Sequence, residues 1–300
     1  MAQSGGRKKI QPHIIEEWTG KIYASFCIVL LVVTIFSMVY YVATKGLSTF
    51  FQDGIALKEI FGSTTWKPDG EPPVFGALPF ILGSFSTSIL AALIAAPLGI
   101  CAALFMVEIM PKFGKKYLQP VIELLAGIPS VVYGFVGLSV IVPFYRDIFP
   151  GQGLGILAGA TVLSIMILPT ITSIATDALA ALPPGLKEGS YALGATRWQT
   201  LSRTVLPTTM PALLTGVVLG MARAFGEALA VQMVIGNAPH IPRSLFESTS
   251  TLTSVITLSM GNTVMGSTQN NVLWTLALIL MLMTFVFVFI VRWLERRAKR

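Results

Sequence analysis

Charge is scarce in this 300-residue chain: Asp, Glu, Lys and Arg together make up 12% of it, roughly half the share found in a soluble domain. The deficit falls in long apolar blocks separated by short polar stretches, a pattern that excludes an ordinary soluble protein and fits a multi-spanning membrane protein. Cysteine is nearly absent. Cys27 and Cys101 lie in separate apolar blocks without CxxC spacing, so they carry no redox motif and read as buried thiols. The two histidines, His13 and His240, fall on opposite sides of the bilayer in the topology derived below and share no metal site. There is no GxxxxGK[ST] stretch, which excludes nucleotide binding by a Walker mechanism. Gly151-Gln-Gly-Leu-Gly155 follows no strand and reads as a turn, not a dinucleotide site. With no Ser/His/Asp or Cys/His set, the chain alone is expected to be catalytically inert and to use no cofactor or metal. It also lacks internal repeats and low-complexity tracts.

What the chain has is apolar length. Hydrophobic residues make up 54% of it and the mean hydropathy is +0.75. A membrane-crossing helix needs about 20 such residues, and six segments meet that requirement, near Ile22–Ala43, Phe85–Val107, Val121–Tyr145, Gly153–Ala175, Ala212–Gly236 and Val272–Trp293. The expected fold is therefore all-α, a single polytopic domain over residues 1–300. Residues 1–21 form a polar N-terminal segment. The apolar run after them is too long for a signal-peptide core and lacks a small-residue cleavage site, so it reads as a retained span. Gly76–Gly83 extends the second block beyond one simple span and is expected to be an interfacial entry segment. Thr251–Met260 is too short to cross and should be interfacial, re-entrant or packed on the bundle.

Orientation follows from Lys and Arg. With both termini inside, the inner segments hold Arg7, Lys8, Lys9, Lys21, Lys112, Lys115, Lys116, Lys187, Arg197, Arg203, Arg292, Arg296, Arg297, Lys299 and Arg300. The outer loops hold Lys45, Lys58, Lys67, Arg146 and Arg243, and Arg223 lies within a span. The formal net charge of +7 is thus a topological signature and not a nucleic-acid-binding surface. Both termini are expected in the cytoplasm.

The longest inner loop, residues 177–211, has internal structure. Pro183-Pro184 should stop the preceding helix, and Gly185–Leu193 can form a short one with Gly194 as a left-handed cap. Ala195–Leu206 can form a second, with apolar Trp198, Leu201 and Val205 at helical spacing and Arg197 and Arg203 in water. Pro207 and Pro211 are expected to end it. Two short helices meeting at a glycine bend make a stiff elbow. Glu188-Gly-Ser-Tyr-Ala-Leu-Gly194, then nine residues, then Thr204-Val-Leu-Pro207 resembles the EAA loop of ABC importer permeases. Gly189-Ser190 replace its Ala pair and Thr204 its Ile. The resemblance implies that Glu188, Gly189, Ser190, Ala192, Gly194, Leu206 and Pro207 serve coupling to an ATPase.

Two further stretches, Leu125-Ala-Gly-Ile-Pro-Ser-Val-Val-Tyr-Gly134 and Ala222-Arg-Ala-Phe-Gly-Glu-Ala-Leu-Ala-Val-Gln-Met-Val-Ile-Gly-Asn237, are similar to the phosphate-importer permeases of the PstC type. The likeness runs from the first span to the last. It implies a type I ABC importer (MetI-like) fold in a bacterial inner membrane, in contact with lipid and with no nucleic-acid partner. It further implies a heterodimer with a PstA-type sister permease, two PstB-type ATPase subunits and a PstS-type phosphate-binding protein.

Arg223 and Glu227 are the charges within the fifth span. Arg223 lies eleven residues beyond Ala212, about 16 Å into the bilayer at 1.5 Å per residue, where an unpaired Arg costs about 2.5–3.5 kcal/mol on insertion scales. The i, i+4 spacing predicts mutual neutralisation on one helix face. Two readings stand side by side: an anion path in which Arg223 offers donors to phosphate and Glu227 holds it, or a structural ion pair. Pro129 and Ser130, flanked by Gly127 and Gly134, either open onto the same path or serve packing. Physics alone specifies a small anion, so sulfate and molybdate remain alternatives to phosphate. An ATP-independent transporter or channel usually shows repeats or charges in several spans, and a non-transporting scaffold leaves Arg223 and Glu227 unexplained.

Overall fold

The computed structural model describes residues 12–298, with side chains described for 18–290, 292 and 293. Arg7, Lys8, Lys9, Lys299 and Arg300, and the side chains of His13, Arg296 and Arg297, lie outside the described residues.

Among the described residues, six helices are long and apolar enough to cross a membrane: Trp18–Phe51, Leu78–Ile109, Ser130–Ile148, Ile156–Ala180, Arg197–Gly226 and Thr268–Ile290. Each expected span has its counterpart, and the architecture is helical, apart from a two-residue antiparallel ribbon pairing Trp66 with Phe75 and Lys67 with Val74. The fourth span is the axis. Two-thirds of its apolar stretch is buried, and it packs along the second and fifth spans. Small residues allow that approach. A Cβ on Gly220 would stand 2.8 Å from Ile171 Cγ1, and one on Gly99 would stand 3.0 Å from Ile171 Cγ2. Ile171 is thus gripped from both sides without a side chain intervening.

Among the described residues, the first span is buried at its far end. Gly46 lets it approach the sixth span, where Thr275 Oγ1 donates to Gly46 O at 2.7 Å and Tyr41 meets Trp274 edge-on at 5.2 Å. Its most apolar stretch is otherwise uncovered. Cys27 on this span and Cys101 on the second are both exposed, which corrects the expectation of buried thiols. In a membrane protein an apolar segment has outward faces as well as inward ones, so apolarity does not imply burial.

Gly76–Gly83 is not a separate entry segment. A single helix starts at Leu78, with Pro79 in its first turn, where the fixed φ of proline favours initiation. Thr251–Met260 forms the helix Leu252–Ser259, opened by a reciprocal cap between Thr251 and Ser254. It is packed on the bundle, with Leu252 buried beside Phe80, Leu273 and Leu276.

Two spans break inside the bundle. The expected third span, Val121–Tyr145, is two pieces, Gln119–Gly127 and the helix from Ser130, separated by extended backbone at Ile128 and Pro129. The fifth stops at Gly226, passes through extended Glu227 and resumes as Leu229–Val234. The pieces beyond the two breaks, Ser130–Val136 and Leu229–Val234, pack on each other.

Pro207 and Pro211 do not end the second elbow helix. It continues into the fifth span from Arg197 to Gly226. A π turn at Leu201–Val205 carries the chain up to Pro207, with Leu206 N–H donating five residues back to Leu201 O. Thr208 Oγ1 and Thr209 Oγ1 then occupy the carbonyls of Thr204 and Val205 at 2.6 and 2.9 Å. The π turn widens the helix just before Pro207, which has no amide to donate.

Candidate functional site

At one end of the bundle the elbow has the expected form. Pro184–Ala192 is its first helix, and Gly194 turns the chain at φ +81°, a conformation costly for residues bearing a Cβ. Thr196 opens the second helix through a capping box with Gln199. Ser190 and Thr200 share a hydroxyl hydrogen bond of 2.9 Å that ties the two helices together. Glu188, Gly189, Ala192 and Gly194 are exposed, whereas Ser190 and Leu206 are half-buried. Val205 is buried as its spacing suggests, but Trp198 is 70% exposed, and Leu186, Tyr191 and Leu193 are exposed too. An elbow displaying this much apolar surface presents a contact face.

Within the membrane-spanning region lies the second group. Arg223 and Glu227 form no ion pair, contrary to the i, i+4 expectation. The helix ends between them, so Glu227 turns onward and its Oε1 accepts from Ala230 N–H at 3.4 Å. Thr253 Oγ1 holds the Glu227 carbonyl at 2.9 Å, which fixes the break from the loop helix. Arg223 instead donates from Nη1 to Thr170 Oγ1 of the fourth span at 3.3 Å and is otherwise exposed.

The break in the third span is spanned by Tyr133, whose hydroxyl donates to Leu125 O at 2.6 Å. Pro129 is exposed and Ser130 half-buried, and a Cβ on Gly127 or Gly226 would meet nothing within 4 Å. Arg223 and the Pro129 break are thus both exposed on this chain, while the Glu227 carboxylate is drawn onto the Ala230 amide. Thr170 and Tyr133 were not evident from sequence, since a lone hydroxyl in an apolar span carries no periodic or charge signal.

Chemically, this second group offers a guanidinium with free donors, neutral hydroxyls and backbone at two breaks, facing a side the chain itself leaves open. Such a set can bind and release an anion. Among the described residues no cluster of His, Cys, Asp and Glu could hold a metal.

Comparison with known proteins identifies the family. Residues 95–300 match the family "Binding-protein-dependent transport system inner membrane component". The chain is 53% identical to the Bacillus subtilis "Probable ABC transporter permease protein YqgH", over 95% of this chain and 93% of that one. It is 38% identical to the Mesorhizobium japonicum "Phosphate transport system permease protein PstC", over 78% and 77% of the two chains. A bacterial alginate ABC transporter shares the fold at a TM-score of 0.66 and 15% identity, over 98% of this chain and 99% of that one. The MetNI methionine ABC transporter does so at 0.56 and 20%, over 75% and 95%. The chain belongs to the binding-protein-dependent transport system inner membrane components and is a multi-pass ABC transporter permease.

Proposed function

We propose that this permease imports inorganic phosphate by alternating access, driven by ATPase subunits that grip the elbow. The observation that carries the reading is one continuous helix. The same 30-residue element bears the elbow at Arg197 and ends at Gly226, and Arg223 lies about 39 Å from Arg197 along it at 1.5 Å per residue. A displacement of the elbow therefore reaches the intramembrane guanidinium through a rod, not through a flexible linker. The phosphate assignment draws on the relatives named PstC and on a cationic fork suited to oxyanions.

In this reading the elbow and both termini are cytoplasmic, in the inner membrane, as the Lys and Arg distribution favours. Glu188, Gly189, Ser190, Ala192 and Gly194 meet the motor, and Leu206 and Pro207 lie where the elbow joins the rod. Arg223, Pro129 and Ser130 line the path. Glu227 sits at its edge and disfavours retention of the anion. The open side of Arg223 is closed by a PstA-type sister permease. Two PstB-type ATPases supply energy and a PstS-type protein delivers phosphate.

The test is uptake by the reconstituted four-component complex in proteoliposomes. Phosphate accumulation should require both ATP and the binding protein. Uptake without ATP would replace this reading with a secondary transporter or channel. ATP-dependent uptake of sulfate or molybdate in place of phosphate would keep the machine and change its cargo.

A further inference from the structure

We propose that Glu108 is a positioning residue for transport, a clasp that fastens both elbow helices to the end of the second span. The proposal rests on the permease reading above and concerns how motion of the elbow enters the rest of the bundle.

Glu108 sits in the π turn Phe105–Ile109 that extends the second span to its end. Its carboxylate pairs with Lys187 Nζ of the first elbow helix, the residue immediately before Glu188. Its backbone carbonyl accepts from Arg197 Nη2 at the start of the second elbow helix, and Ile109 O accepts from the same nitrogen at 3.2 Å. One residue therefore holds a cation from each arm of the elbow.

The chemistry favours a durable contact. The Glu108 side chain is 16% exposed and that of Lys187 25%, so solvent and salt screen the pair less than they would a surface pair. Arg197 meets terminal carbonyls of a helix, the negative end of its dipole. Apolar packing alone would not give the same definition. The cluster beneath the elbow, with Leu104, Leu179, Leu182, Val205 and Leu213, is non-directional, whereas the clasp fixes register.

The elbow thus has two rigid outputs. One is its own continuation into the fifth span. The other runs through Glu108 into the second span, which packs along the fourth, and the fourth carries Thr170, the partner of Arg223. Driving both sides of the Arg223–Thr170 contact from one elbow would move them in a defined relation. Without the clasp the fifth span would move alone.

The test uses the full complex with Gly226→Cys, a position with open space around it, after Cys27→Ala and Cys101→Ala. Labelling by a membrane-impermeant thiol reagent is compared before and after trapping with ATP and vanadate. The parent should show a nucleotide-dependent change in rate. Glu108→Lys, which faces Lys187 and Arg197 with a like charge, should shrink that change by about 2- to 30-fold, the range that coupling substitutions between sites cover. Lys187→Gln should shrink it partly while preserving the fold, and Glu108→Lys combined with Lys187→Glu should restore most of it. The ATPase subunits should co-purify at parental levels in every case.

A parental change in both single variants would overturn the proposal, as would a double variant no better than Glu108→Lys. A loss that merely tracks lost assembly, or a parent whose labelling ignores nucleotide, would overturn it too. Phosphate uptake by the complex with native Gly226, Cys27 and Cys101 separates the two readings. Its absence refutes the cargo and leaves the labelling comparison intact.

Discussion

Replacing Arg223 with glutamine separates a transport role from a structural one, because the structure gives Arg223 little structural work to lose. The side chain is exposed and makes one hydrogen bond, to Thr170 at 3.3 Å. Removing a single exposed bond of that length should cost less than about 1 kcal/mol of stability. No ion pair breaks, so Glu227 is not stranded as an unpaired buried charge. The expected loss to transport is larger. A hydrogen bond to a charged partner contributes about 1.5–3 kcal/mol. If that bond forms to the anion in the rate-limiting passage, uptake should fall about 12- to 140-fold at roughly 1.4 kcal/mol per tenfold. Arg223→Lys keeps the charge but loses the planar fork and should fall between. The assay is the initial rate of ATP-driven phosphate uptake in proteoliposomes, normalised to assembled complex, beside thermal stability in detergent. Wild-type uptake with normal assembly would refute the pathway role, and so would a fall in uptake matched by a fall in assembly.

Other expectations follow from the same geometry. Glu227→Gln keeps an acceptor for Ala230 N–H while removing a negative charge near the path, so the apparent KM for phosphate and the maximal rate should both fall. Unchanged kinetics would place Glu227 outside the path. Gly194→Ala meets no neighbour but must hold φ +81°, a cost of about 1–2 kcal/mol, and should reduce ATPase co-purification. Gly189→Ala, also without neighbours but within a helix, should gain up to about 1 kcal/mol and leave docking intact. On the loop following the fifth span, the Arg243 backbone amide holds the Glu247 carboxyl below its ordinary range, with help from His240. A depressed folded pKa contributes stability above the unfolded value, and that contribution disappears as pH falls through the folded one. Protection of the Arg243 amide against hydrogen exchange, corrected for intrinsic rate, should therefore drop as Glu247 is protonated at acidic pH. Glu247→Gln should abolish the pH dependence of that protection.

How much of this was legible in the sequence depended on how local the cause was. The six spans were, because apolar length is a local signal and the bilayer sets its scale. So was the elbow, since Pro183-Pro184 and Gly194 act on their own backbone. Proline inside a span was not decisive. Pro97, Pro169 and Pro211 all sit within helices, whereas Pro129 follows extended Ile128 at a break. A membrane helix can accommodate a proline through local adjustments such as the π turn before Pro207, so the residue alone marks no break. The clasp at Glu108 joins residues 79 apart, and no pattern in one sequence announces such a pairing. The break after Gly226 has no proline to signal it and is held from the loop helix by Thr253. That same break bears most directly on Arg223. A continuous helix would have set Glu227 one turn beyond Arg223 and neutralised it. By ending the helix between them, the fold turns the carboxylate onto Ala230 and leaves the guanidinium with one weak partner. The charge that looked half-spent in sequence is thereby left without a carboxylate partner, as the proposed anion path requires.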